Sequence, residues 1–156
     1  MNSIRERIIR EVIRRIEVKT FDNVSFDKII RGEIPDDYAG KQGSILAVLE
    51  GTEVLGKTGN SVTLSDLELF LSFAVPPAAN EEAATVSNNV AGELIKVLSG
   101  QHTMLEGGDG APLSCMVSPI SVQPNRMGDT DECATGMVEF RVQFRTAQYD
   151  PFAARA

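Results

Sequence analysis

Tryptophan is absent from this chain, and its 156 residues hold one histidine, two cysteines, two tyrosines and seven phenylalanines. A core built from so few aromatics must rest on Ile, Val, Leu and Ala. With only His102, Cys115 and Cys133 to draw on, no zinc finger or multi-His metal centre can be assembled from the usual spacings, and no metal or cofactor is expected. No apolar run approaches the ~18–20 residues that a bilayer span needs, so no membrane partner is expected either. The opening MNSIRERIIREVIRRIE is charged throughout and has no signal-peptide apolar stretch. The two cysteines are therefore read as free thiols in a reducing compartment. What remains is an ordinary globular composition, 42% apolar and 24% charged, suited to one domain over 1–156 whose core needs neither disulfide nor metal.

The net charge of −7 is unevenly spread. Residues 1–31 carry eight basic groups (Arg5, Arg7, Arg10, Arg14, Arg15, Lys19, Lys28 and Arg31) and five acidic ones, a net of +3. The remaining residues carry seven basic and seventeen acidic groups, a net of −10. A basic helix joined to an acidic body can meet the acidic surface of another copy, or nucleic acid. Equally, the arginines can be the solvated face of an amphipathic helix.

Ile4, Ile8, Ile9, Val12, Ile13 and Ile16 recur at the spacing of a helix packed on a core. Ser3 and Glu6 form a capping-box signal, so a helix is predicted over 3–18. Residues 19–43 read as connection, with Phe26, Ile29 and Ile30 anchoring one helical or extended turn. Two apolar runs, 44–56 and 61–75, flank Lys57-Thr58-Gly59-Asn60 and predict an antiparallel hairpin. In the second run Val62, Leu64, Leu67, Leu69, Leu71 and Phe73 alternate around an irregularity at Ser65-Asp66.

Pro76-Pro77 ends the second run, since neither proline donates a ladder hydrogen bond. A second helix is predicted over 80–98, with Asn80 as N-cap, Val86, Val90, Leu94, Ile95 and Leu98 on its apolar face and Gly100 as stop. Gly92 within it suggests a close helix–sheet approach. Residues 101–114 and 125–136 read as loops, and 115–124 as a strand edged by Pro119.

MVEFRVQFRTA (137–147) alternates strictly: Val138, Phe140, Val142 and Phe144 face one way, Met137, Glu139, Arg141, Gln143 and Arg145 the other. A short tail follows over 148–156. The order α-β-β-α-β-β predicts an α+β fold: about four strands, mainly antiparallel or mixed, with two amphipathic helices on one face.

Catalytic hardware is scarce. His102 lies in a polar stretch beyond a helix end, and nothing but residue identity links it to either cysteine. Glu106-Gly107-Gly108-Asp109-Gly110 lacks the GK[ST] ending of a phosphate loop. Asp129, Asp131 and Glu132 do not fit a calcium-loop pattern. The arginine helix has no interleaved aromatics in a chain acidic overall, which argues against sequence-specific nucleic-acid binding.

VEFRVQFRTAQYDPF (138–152) resembles the closing segment of the tail terminator (tail-completion, neck) proteins of long-tailed phages. In that family an alternating strand runs into an aromatic-Arg-Thr step, here Phe144-Arg145-Thr146. An Asp-Pro-aromatic step follows, here Asp150-Pro151-Phe152. FDKIIRGEIP, and SVTLSDLELFLSFAVPP followed by a helix carrying Asn88 or Asn89 and the Leu94, Ile95, Leu98 ending, agree loosely in order. Gln143-Phe144 replaces the aliphatic–Tyr pair of many relatives, and the 125–136 loop is elongated; both leave the subfamily open.

The resemblance implies a non-enzymatic virion protein of the tail or neck, assembled in the host cytoplasm. It implies a homohexameric ring that caps the tail tube, ends polymerisation and receives the head. Its partners would be itself, the tail tube protein, a neck or head-completion connector and, in a contractile tail, the sheath; DNA would only pass through the lumen. Candidate interface residues are Arg5, Arg10, Arg14, Lys57, Asn60, Asp129, Asp131, Glu132, Arg145 and Asp150, with an Arg145–Asp150 pair expected to fix the turn after the last strand. The alternatives are another head–tail joining or tube-like component, and a small cytosolic α+β enzyme or ligand-binding domain.

Overall fold

The computed structural model describes residues 2–35, 43–56, 61–77, 81–99, 113, 115–124, 133–147 and 150–154. Helix α1 spans Ile4–Val18, and the Ser3 hydroxyl caps it by accepting from the Glu6 amide at 3.2 Å. Its isoleucine stripe is buried, as the spacing required. Strand β1 (Lys28–Arg31) follows, then β2 (Ile45–Gly56), β3 (Val62–Val75), helix α2 (Ala83–Ser99), β4 (Cys115–Pro124), β5 (Ala134–Ala147) and β6 (Asp150–Ala154). The six strands form one sheet in the order β1-β2-β3-β5-β4, with β6 pairing the far end of β5 beyond β4. All pairings are antiparallel except β1 with β2.

The α+β class stands, with six strands instead of about four. Two of them lie where sequence gave only connection and tail. β1 is a four-residue strand held parallel to a partner 17 positions further along the chain, and β6 is held by two pairings to Thr146 and Ala147. Both are short, and neither is built on a fully buried alternation. β5 starts at Ala134 within the segment read as loop, because Ala134, Thr135 and Gly136 continue its ladder with Val75, Ala74 and Phe73. α2 begins at Ala83, three residues after Asn80, which lies outside the described residues.

Register shows how the faces form. Leu71 pairs with Val138, Leu69 with Phe140 and Leu67 with Val142, so the apolar stripes of β3 and β5 share one face. Leu46 and Val48 of β2 and Cys115 and Val117 of β4 extend it, and the stripes of both helices close over it in one core cluster. The opposite face carries a smaller cluster at one end: Ile34, Ile45, Ala47, Ala74 and Cys133. Cys115 and Cys133 are both buried, in different clusters.

The irregularity expected at Ser65-Asp66 lies instead in β2. β3 and β5 pair without interruption from Val62 to Val75, whereas β2 shifts register between Glu50 and Glu53. Ser65 accordingly points into the helix side, opposite Phe144, and Leu64 points to the other face. The bulge sits at Gly51, where a Cβ would lie 2.7 Å from Glu68 Cβ and 2.8 Å from the Phe70 ring. The freed Thr52 amide donates to Glu68 Oε2 at 3.1 Å. β1 pairs with β2 only over Ile45–Val48, so among the described residues the extra residue disturbs pairing on a single side.

The close helix–sheet approach is also displaced, from Gly92 to Gly136. Gly92 is exposed, with nothing within 4 Å of where a Cβ would stand. At Gly136 a Cβ would stand 2.5 Å from the Phe73 ring and 3.0 Å from Ser87 Oγ. Ser87 donates to the neighbouring Thr135 carbonyl at 2.8 Å, tying α2 to β5 there. Gly92→Ala should therefore stabilise the protein by about 0.5–1 kcal/mol, the propensity difference alone. A lower denaturant midpoint for that variant would contradict the open surroundings of Gly92.

Candidate functional site

Three surfaces gather the chemistry-bearing side chains. The first lies where the start of α1 crosses β1 and β2. Because of the bulge, Glu50 and Glu53 both face α1, and Arg5 bridges them at 3.2 and 3.9 Å while Arg5 Nη2 donates to the Gly51 carbonyl at 3.3 Å. Arg31 spans Glu6, at 3.1 Å to both carboxylate oxygens, and Glu50. Arg10 Nε meets Glu6 at 2.8 Å. The Arg10 hydrogen bond, aided by Arg31, holds the Glu6 carboxyl below its usual range against the desolvation that would raise it. Glu50, then Glu6, hold Arg31 above its own ordinary value.

Further along α1, Glu11 is only 2% exposed. Arg14 clasps it with two hydrogen bonds of 2.7 and 2.8 Å, and Arg15 adds one of 3.2 Å. The helix arginines expected to reach a neighbouring copy are thus engaged within their own subunit. Arg10 and Arg14 nevertheless keep more than half of their side-chain surface in solvent.

The second surface is the corner between β5 and β6. Phe144-Arg145-Thr146 ends the ladder with β3, and β6 folds back so that Ala154 and Asp150 pair with Thr146 and Ala147. Asp150 Oδ1 accepts from the Phe152 amide at 3.0 Å, closing a local turn. A short carboxylate readily satisfies the amide two residues on. Phe152 is left 47% exposed, and Arg145 is exposed on the helix-free face.

The third surface was not singled out from sequence. On the helix-free face, beyond the smaller cluster, register places Val54, Asp66, Gln143 and Met116 in one row across β2, β3, β5 and β4. Glu68, Arg141 and Ser118 form the adjacent row. Val54 is 58% and Met116 48% exposed. Asp66 Oδ1 is buried there without a hydrogen-bond partner. The only signal in the sequence was the alternation of β5 itself, which put Arg141 and Gln143 on a common side.

Of the candidate interface residues, Arg5, Arg10 and Arg14 lie along α1, and Arg145 and Asp150 at the β5–β6 corner. The structure does not bring the two groups into one site. Lys57, Asn60, Asp129, Asp131 and Glu132 lie outside the described residues, as do His102 and the glycine-rich 106–110 stretch. Among the described residues no three His, Cys, Asp or Glu side chains are grouped to hold a metal ion, and no helix is long and apolar enough to cross a membrane. A cleft of about 240 Å³ between the β1 entry and the start of α2 is lined by Asn23, Ser25, Asp27, Ser44 and Glu81 among others. Asp27 there is already committed, accepting from the Ser44 amide at 2.9 Å.

These features define an α+β protein with helices on one face of an open, mostly antiparallel sheet. No family model matches the chain, and no curated protein matches it in sequence. Among solved structures, one chain without a functional description is similar at 18% identity and a TM-score of 0.49, covering 90% of this chain and 94% of its own length. A second similar chain is the sheath/tube terminator of an extracellular contractile injection system in its extended state, at 10% identity and a TM-score of 0.44. That match covers 95% of this chain and 60% of the terminator.

Proposed function

We propose that this chain is a tail-terminator subunit: a structural protein that assembles as a ring of six copies on the last ring of a tail tube. Bound there, it blocks further addition of tube protein and offers the surface that a head-side connector docks on. In a contractile tail it would also meet the sheath. The role is structural and not catalytic, and it belongs to the virion tail.

The observation that supports this reading is the β5–β6 corner. The residues that carry the resemblance, Phe144-Arg145-Thr146 and Asp150-Pro151-Phe152, lie on the two strands that meet at this corner, which pair through Thr146 with Ala154 and Ala147 with Asp150. Pro151 has no amide to donate, and its fixed φ suits an extended edge segment. The corner leaves an aromatic ring and a cation on the surface, the kind of group that anchors protein contacts.

Electron microscopy of particles assembled without this chain tests the reading. Abnormally long or headless tails are expected, and normal joined particles would overturn it.

A further inference from the structure

We propose that the helix-free face of the sheet docks on the same face of a second copy about a twofold axis. This pairing rests on the register and charge of that face and is independent of the tail-capping reading. Beside the seam the face carries Asp66 and Glu68 on β3 against Arg141 and Arg145 on β5; Glu139, further along β5, accepts from the Ser121 hydroxyl at 3.0 Å. An axis parallel to the strands, above the seam between β3 and β5, lays β3 of one copy over β5 of the other and β2 over β4. Height along the strands is preserved by that rotation, so each row meets itself reversed.

Glu68 then stands over Arg141 of the partner subunit, and Arg141 over the partner's Glu68. Asp66 faces the partner's Gln143. At the flanks, exposed Val54 covers the partner's Met116, and Met116 covers the partner's Val54. In the first row apolar meets apolar at the flanks and acid meets amide beside the axis; in the second, acid meets base beside the axis and Ser118 lies over the small polar bulge at Gly51 and Thr52. Facing sheets pack about 10 Å apart with strands within about 30° of alignment, so the two charge pairs beside the axis stay in register while the flanks shift slightly. An isologous interface of this kind requires a self-complementary patch.

Light scattering across a concentration series, joined to cross-linking, tests the pairing. The full chain should run as a dimer. Arg141→Glu and Glu68→Arg should each weaken it by more than about tenfold, since each sets like charges opposite one another. The double variant should restore it. Thermal unfolding of the same variants separates loss of pairing from loss of folding.

Geometry is tested by mixing Val54→Cys with Met116→Cys under oxidising conditions. The mixture should give a cross-linked dimer and neither variant alone should. A chain monomeric at every concentration, an assembly insensitive to the charge reversals, or cross-linking of one variant with itself would each overturn the proposal. A ring untouched by these substitutions would sink the twofold pairing and leave the capping reading intact. Normal tails without the chain would do the reverse.

Discussion

Phe140→Ala should lower the unfolding free energy by about 3–5 kcal/mol, the range for emptying a large aromatic site in a rigid core. Phe140 is fully buried at the middle of the central strand. Its register partners are Leu69 on one side and Pro119 on the other, and Val138 and Val142 flank it on the same face. Sheet register fixes all of these neighbours, so little collapse into the vacancy is available. Phe152→Ala is the matched control: about half exposed on β6, it should change stability by no more than about 0.5 kcal/mol. Urea unfolding of both variants gives the comparison. A Phe140 variant within about 1 kcal/mol of the parent would mean that the sheet and helices do not close over that position.

The second large effect centres on Glu11. Replacing Arg14 and Arg15 together by Ala leaves a carboxylate that is 2% exposed without either cation. Arg14 is itself half exposed and truncation admits water to the carboxylate, so the cost should be about 1–3 kcal/mol, below that of a fully buried pair. The pH dependence carries the sign of the interaction. The Arg14 hydrogen bonds, followed by that of Arg15, outweigh desolvation and hold the Glu11 carboxyl below its ordinary value of 4.5.

A depressed carboxyl contributes stability that is present above the unfolded value and is lost as pH falls through the folded one. In the double variant the cations are gone and burial alone acts, which favours the protonated acid. The stability gap between parent and variant should therefore be widest near neutrality and shrink as pH is lowered past 4.5. A gap constant from pH 7 to pH 3 would show that the arginines act by packing alone. Glu6 is depressed in the same direction by Arg10 and Arg31. Its pairs are solvent-screened, so losing them should cost much less.

Elements whose side-chain period and length agreed were legible from sequence. The isoleucine stripe of α1, the run of α2 and the alternation of β5 each give one answer, because local pattern and burial coincide. β1 and β6 were not legible, since each is too short to carry a pattern and is stabilised by a partner elsewhere in the chain. In β3, Leu64 and Leu67 are both apolar and three apart, which reads as a slip in that strand. The chain keeps β3 regular and leaves Leu64 on the helix-free side. Gly92 drew attention as a helical glycine, while the position that forbids a side chain, Gly136, sat in a stretch read as loop.

The candidate surfaces were less legible than the fold. Arginines on α1 were visible as charge, but their strand partners Glu50 and Glu53 flank an irregularity that sequence placed elsewhere. The facing rows of β2, β3, β5 and β4 depend on register across three ladders. No single strand carries that information.

One residue of extra length in β2 changes the composition of two faces at once. Were β2 regular through Gly51 and Thr52, its two-residue period would turn Glu53 to the helix-free side, opposite Asp66 and beside Glu68. Three carboxylates would crowd one patch, and Val54 would point toward α1. The bulge reverses the phase of the distal half-strand. Glu53 goes to Arg5, and the opposite side gains an aliphatic flank in place of a third negative charge. A local defect in pairing thereby sets the sign and polarity of a surface several strands wide.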